Sequence, residues 1–277
     1  MRSIIDTLDL SVAELDELIN TALDIIAYPE NYADACRRKK LATLFFEPST
    51  RTRLSFEAAM YELGGNVISV PGSSVSSAAK GESVADTARV VSCYADIIAM
   101  RHPNEGAALV AAKSATVPVI NAGDGGHCHP TQTLADLLTV YRERGSFEDM
   151  TVGLCGDLKY GRTVHSLIGA LSRYKGIKFA LISPEELKLP DNIKKNVIEK
   201  NNLSYTEITG LEGVAGDLDI LYMTRVQRER FRSLEEYEKL KDSYILTEKI
   251  MKSAKKHYQN ILLILLLLVL PHQKFYG

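Results

Sequence analysis

The sequence predicts an α/β protein of two similar domains, each a parallel sheet flanked by helices. Short runs rich in Val, Ile and Leu alternate with longer segments of helical periodicity, the pattern of parallel strands joined by crossover helices. The pattern pauses at Gly145–Asp149 and then restarts. A length of 277 residues suits two ordinary domains better than one.

Each element has a local reason. Val12, Leu15, Leu18, Ile19 and Leu23 share a helical face, and Ser11 with Glu14 has the capping-box spacing. The stretch "KLATLFFE" reads as a buried strand, stopped by Pro48. From Thr50 the pattern turns helical through Ala58, Ala59 and Leu63, and Gly64-Gly65 ends it. "NVISV" is a second strand, followed by a loop, Pro71–Ser83, rich in Ser, Gly and Ala. Then come helix "VADTARVVSCY", strand "DIIAMRH", helix "GAALVAAKS", strand "VPVINAG" and the turn "DGGHCHP". The helix Thr131–Arg144 joins the domains, which are expected to span 1–145 and 146–277. Beyond it "MTVGLCGD" and "IKFALIS" read as strands around the helix "YGRTVHSLIGALSRY". "LPDNIKKNVIEKN" reads as a helix and "LDILYMT" as a strand.

Charge narrows the function. Basic and acidic residues nearly cancel, at a net charge of -2, so bulk attraction to nucleic acid or an anionic membrane is not expected and any anion site must be local. Cys36, Cys93, Cys128 and Cys155 are scattered without a C-x-x-C pair, which fits free thiols in a reducing cytoplasm. The N-terminus has acidic residues throughout and no apolar core of signal-peptide type. The ten apolar residues Ile261–Leu270 fall short of the roughly 20 that a membrane-spanning helix needs.

Local chemistry is concentrated in "STRTR". A strand running into a helix leaves free N–H groups and partial positive charge, where phosphate binds well. Ser49, Thr50 and Thr52 add hydroxyl donors, and Arg51 can grip two phosphate oxygens. Arg51 and Arg53 point about 200° apart on a helix, so Arg51 is taken as the ligand arginine and Arg53 as a partner for Glu57. The plain alternative is a well-capped helix with solvated arginines. The Walker pattern is absent, so triphosphate hydrolysis is not indicated.

Arg101 ends a strand, where open parallel sheets bind ligands, and is read as a second anion clamp against the alternative of a surface salt bridge. His127 and His129 lack further ligands nearby, so no metal is expected. A neutral His129 can instead donate to a carbonyl oxygen, and Gln132 can accept from an amide-like NH2. Arg162, near a helix start, and Arg225 with Gln227, beyond a strand, suggest a small dicarboxylate. Their alternative is a solvated charge run, as expected for Arg228, Glu229 and Arg230. Lys80 lies in the small-residue loop, either a surface linker or a lid that brings a cation to phosphate.

Taken in order, "STRTR", "KGE", "MRHP", "NAGDG", "HPTQTLAD", "GDLKYGRTVHSL" and "ILYMTRVQ" resemble the aspartate carbamoyltransferase family over about residues 3–256. "STRTR" and "HPTQ" would suit any carbamoyltransferase, whereas "KGE" and "TRVQ" favour aspartate over ornithine. The resemblance implies carbamoyl transfer from carbamoyl phosphate to L-aspartate in pyrimidine biosynthesis, in the cytoplasm and without a cofactor. It implies that Ser49, Thr50, Arg51 and Thr52 bind phosphate and that Arg101 bridges phosphate and carbonyl oxygen. His129 and Thr52 then polarise the carbonyl, and Gln132 holds the carbamoyl nitrogen. Arg162 takes the α-carboxylate of aspartate; Arg225 and Gln227 take the β-carboxylate. Ser76 and Lys80 are expected to reach a neighbouring subunit's site in a homotrimer, with a regulatory chain admitted as a further partner. The first domain would bind carbamoyl phosphate and the second aspartate.

The family pattern stops near Lys256. A His-Pro-Leu-Pro-Arg turn and a returning C-terminal helix are expected there, and the chain reads "HYQNILLILLLLVLPHQKFYG" instead. The working hypothesis is a truncated or frameshifted end that lowers stability and turnover; the alternative is that the leucines form the expected buried strand. Translating the coding sequence in its other frames without finding the missing turn would count against a frameshift.

Overall fold

Among the described residues all the strand pairs are parallel, so within each sheet a crossover connects each strand to the next. The computed structural model describes residues 2–72, 77–224, 226, 233–240, 243–245, 247, 248 and 250. The tail that holds the leucine run lies outside them, as do Ser76, Arg225 and Gln227. The chain divides into two compact units, Met1–Leu134 and Ala135–Gly277.

In the first unit, helix α1 (Val12–Ala27) opens with the predicted capping box: Ser11 accepts from the Glu14 amide, and Glu14 accepts from the Ser11 amide. Strand β1 (Lys40–Phe45) leads into α2 (Thr50–Glu62), which ends before Gly64 at φ +77. An added Cβ at Gly64 would lie 2.3 Å from the Ala33 carbonyl oxygen, so glycine serves both the left-handed turn and the close approach. Strands β2 (Asn66–Val70), β3 (Ile97–His102) and β4 (Val119–Asp124) complete the sheet, in the order β2-β1-β3-β4. Helices α3 (Val84–Val91) and α4 (Ala107–Ser114) supply the crossovers on either side of β3.

Period-2 alternation sorts the sheet's two faces. Ala42, Leu44, Ile98 and Met100 pack in one cluster with Ala88, Ala108 and Ala111 of α3 and α4. Leu41 and Ala99 pack on the other face with Phe56 and Met60 of α2. Helix α5 (Pro130–Arg144) then carries the chain into the second unit.

There, β5 (Thr151–Cys155), β6 (Lys178–Ile182), β7 (Ser204–Ile208) and β8 (Ile220–Met223) form a sheet in the order β7-β6-β5-β8. Helix α6 (Arg162–Leu171) buries Val164, Leu167, Ile168 and Leu171, the i, i+3, i+4, i+7 pattern of an apolar face. Cys155, Ala180, Ile182, Leu218 and Leu221 form a core cluster with Ile250.

One local expectation changes, and two elements appear that the sequence reading does not contain. The stretch 189–201 is not one regular helix: Asp191–Ile193 is α-helical, Lys194–Ile198 a π-turn and Glu199–Asn201 a 3-10 turn. Strand β7 was not anticipated, because as an edge strand it leaves Ser204, Thr206 and Glu207 exposed and shows little apolar signal. The short helix Leu234–Leu240 was also not anticipated; its sequence, LEEYEKL, is largely polar.

Candidate active site

Chain order in the first sheet runs from β1 outward to β2, then back across β1 to β3. The segments leaving β1 and β3 therefore diverge, and the carboxyl ends of those two strands are where such a sheet is expected to bind a ligand. Residues 46–52 leave β1, and Arg101 lies near the end of β3, opposite Phe45 in the parallel register.

Ser49 precedes α2 in non-helical conformation, and its side chain makes no capping bond. No acidic residue stands in the first turn, so nothing on α2 offsets the positive end of its dipole. Ser49 is thus not the side-chain cap of the plain alternative, although that alternative also has solvated arginines. Arg51 is exposed, whereas Arg53 is half-buried with Nε 3.7 Å from Glu57, the i,i+4 pair expected. Glu57 also accepts from Thr43 at 2.9 Å and Ser69 at 2.7 Å, which ties the first turns of α2 to β1 and β2.

Arg101 is buried, at 8% exposure, which removes the alternative of a surface salt bridge. Its Nη2 donates to Glu47 Oε1 at 2.7 Å, and its Nη1 donates to the Ala122 carbonyl at 3.2 Å. Nη1 also lies 3.3 Å from His129 Nε2. A guanidinium can only donate, so His129 Nε2 accepts and the neutral ring carries its proton on Nδ1, 3.5 Å from Thr131 Oγ1. In this arrangement the His129 nitrogen that meets Arg101 can only accept, whereas the sequence reading has a neutral His129 donating to a carbonyl. Gln132 lies one turn into α5, and its amide donates to the His129 carbonyl at 3.1 Å.

Two residues here escaped the sequence reading. Glu47 sits 54 residues from its arginine, and only the β1–β3 register reveals the pair. A carboxylate just before an anion motif was the available signal. Gly123 has φ +114, and a Cβ there would lie 2.9 Å from Arg101 Nη1 and 3.3 Å from His129 Cδ2.

In the second sheet the chain moves outward through β6 and β7 and returns to β8 on the other side of β5. The segments after β5 and β8 again leave from strand ends where a ligand is expected to bind. Thr224 joins them: its amide donates to the Cys155 carbonyl at 2.8 Å, and its Oγ1 accepts from the Asp157 amide at 2.8 Å. Arg162, half-buried, is the first residue of α6, and Arg225 directly follows Thr224 in the chain. Behind them the Tyr222 hydroxyl donates to Asp136 at 3.1 Å. Burial, with the Asp136 charge second, pushes the Tyr222 phenol well above its ordinary range. Lys80 is exposed at the end of the short 3-10 turn Ser77–Lys80. Ser76, Arg225 and Gln227, three of the expected ligand residues, lie outside the described residues.

Comparison with known proteins gives one consistent result. A family model for the carbamoyl-phosphate-binding domain of aspartate/ornithine carbamoyltransferases matches residues 2–142. The model for the aspartate/ornithine-binding domain of the same family matches residues 148–271, so the match runs past Lys256, where the sequence reading has the family pattern stop. The aspartate carbamoyltransferase catalytic subunit of Lachnoclostridium phytofermentans is 60% identical over 256 residues, covering 92% of this chain and 83% of that one. The catalytic subunit of M. jannaschii aspartate transcarbamoylase superposes with a TM-score of 0.82 at 45% identity, over 90% of this chain and 82% of that one. The aspartate transcarbamoylase of Trypanosoma cruzi in complex with carbamoyl phosphate and aspartate superposes at 0.81 with 34% identity, over 92% and 82%.

Proposed function

The chain belongs to the aspartate/ornithine carbamoyltransferase family, and we propose that it transfers the carbamoyl group of carbamoyl phosphate to the amine of L-aspartate. The products are N-carbamoyl-L-aspartate and phosphate. Relatives of this similarity are aspartate carbamoyltransferase catalytic subunits, which selects aspartate over ornithine. The observation that carries the reading is the buried Arg101, held beside His129 and paired with Glu47 on the segment that leads from β1 into α2.

The chemistry follows from charge. The aspartate amine attacks the carbonyl carbon, a C–N bond forms, and negative charge grows on the carbonyl oxygen. The C–O bond to phosphate then breaks, and the departing phosphate can take the amine proton. Donors fixed toward the carbonyl oxygen lower the barrier, and cations on the phosphate ease its departure. Ser49, Thr50, Arg51 and Thr52 are assigned to the phosphate. Arg101, Thr52 and His129 are assigned to the carbonyl oxygen, and Gln132 to the carbamoyl nitrogen. Phosphate would compete with Glu47 for Arg101. Donation from His129 to the carbonyl requires a protonated nitrogen at that oxygen, so Arg101 must release Nε2 or Nδ1 must be the donor. Arg162 is assigned to the α-carboxylate, and Arg225 and Gln227 to the β-carboxylate. Ser76 and Lys80 are assigned to a neighbouring subunit's site in a cytoplasmic homotrimer. No helix among the described residues is long and apolar enough to cross a membrane.

The test is product formation by the purified chain, with ornithine as control acceptor and Arg51→Ala as blank. Aspartate-dependent N-carbamoyl-aspartate that disappears in the variant is the expected result. A folded chain without product would instead be a ligand-binding relative that does not turn over.

A further inference from the structure

Asp124 ends β4 with a fully buried carboxylate, at 0% exposure. Its Oδ1 accepts from Asn121 Nδ2 at 2.9 Å and from the Cys128 amide at 3.1 Å. Its Oδ2 accepts from the Gly106 amide at 2.9 Å. His127 Nδ1 lies 3.3 Å from Oδ2 and 3.4 Å from Oδ1. The backbone repeats the tie: the Asp124 amide donates to the Cys128 carbonyl at 3.2 Å, and the His127 amide donates to the Asp124 carbonyl at 3.0 Å. One side chain thus joins the end of β4, the residue that caps α4 and the turn 125–129. A carboxylate excluded from water is stable only with such donors.

His129, assigned to the reaction, lies one residue after this knot, and Gly123, close to Arg101 and His129, lies one residue before it. Cys128 directly precedes His129, whose ring meets Arg101. Gly123 directly precedes Asp124, and its amide donates at 2.8 Å to Asn121 Oδ1, on the side chain that also holds Asp124. The backbone that leads into His129 is therefore held by contacts that converge on one carboxylate. We propose that Asp124 is a positioning residue for carbamoyl transfer, fixing the 125–129 turn so that His129 meets Arg101 and the carbonyl oxygen. This rests on the assignment of Arg101 and His129 made above.

The test uses the full chain. Asp124→Asn keeps the shape but places an NH2 among the donors. Displacing a reacting group by about 1 Å can lower turnover about 100-fold, so a fall in kcat of about 10- to 100-fold is expected. The KM for aspartate should hold within about twofold, because a purely positional fault acts on the reacting centre. Nitrogen-15 spectra of the imidazoles, with His129→Ala giving the assignment, should show His129 leaving its single tautomer. A loss of activity that merely matches a loss of folded protein, with kcat per folded chain unchanged, would overturn the proposal. If Asp124→Asn does not fold, Asn121→Ser decides. It removes the side-chain donor to Asp124, together with the bonds to the Ile5 carbonyl and the Gly123 amide, and a fall in kcat within the same range of about 10- to 100-fold is expected. A folded Asn121→Ser chain with normal kcat and an unmoved His129 signal would be equally fatal. Undiminished turnover in His129→Ala would bring down the site assignment itself, and the positioning role with it.

Discussion

Arg101 shows what a single residue gains from its surroundings. Its guanidinium is buried, and its fork is shared among Glu47, the Ala122 carbonyl and His129. A lysine carries the same charge but cannot reproduce the fork. Arg101→Lys should therefore lower kcat by about 100-fold or more, the scale of losing a fixed donor at a developing oxyanion; steady-state kinetics checks this, and near-normal kcat would remove Arg101 from the chemistry. Gly123→Ala tests the same spot from the backbone side. The new Cβ would crowd Arg101 Nη1 at 2.9 Å on a φ of +114. A backbone strain of about 1–3 kcal/mol is expected, with a lower denaturation midpoint and reduced turnover together. At this scale the sequence made Arg101 legible, because it ends an apolar strand. Glu47 was not legible as its partner, because that pairing depends on the register of two strands far apart in the chain.

Helices and strands set the second scale. Helix α2 presents an amino end without a side-chain cap or an acidic first turn; the second feature can be read from "PSTRTR", whereas Ser49 there looks like a cap and only the structure shows that it is not one. Helix α6 adds a dependence on pH. Burial holds the His165 imidazole below its ordinary value of 6.5, only partly offset by its bond to the Leu158 carbonyl at 2.8 Å. His102 on β3 is lowered for the same leading reason. Between the folded and ordinary values the unfolded chain binds more protons, so stability falls as pH drops below about 6.5. Denaturant midpoints measured from pH 7.5 to 5.5 should decline, and His165→Gln should flatten that decline. An unchanged slope in the variant would rule out His165 as a source. Strand β7 marks the limit of legibility here: an edge strand with one exposed face carries too little apolar alternation to stand out.

The whole molecule raises the question of assembly. On α2, Leu54 and Tyr61 are 51% and 59% exposed, seven residues apart on one face with exposed Ala58 between them. Such a stripe fits burial against a second copy of the chain, in line with the proposed trimer. The proposed sharing of Lys80 between subunits has a direct consequence. Arg51→Ala and Lys80→Ala homotrimers should each be nearly inactive, yet mixed trimers should regain turnover, because some sites then receive both intact residues. Light scattering gives the oligomeric state. Mixed trimers without recovered activity would show that each site is built from one chain.

The amino-acid sequence determined most of the local order, though not the edge strand β7 or the broken turns of 189–201: the strands and helices with a clear apolar period, where α1 is capped, and where hydroxyls and guanidiniums gather. These depend on neighbours within a few residues, through periodicity, capping and turn chemistry. Tertiary structure alone decided that β3 lies beside β1 rather than β2, and so at which two strand ends a ligand is expected. It also decided that Glu47 meets Arg101, that Gly123 must lack a side chain, and that Asp124 gathers Asn121, Gly106 and Cys128 around itself. Those contacts come from strand register and from the desolvation that makes a buried charge seek every donor within reach, and neither is written in any one stretch of chain.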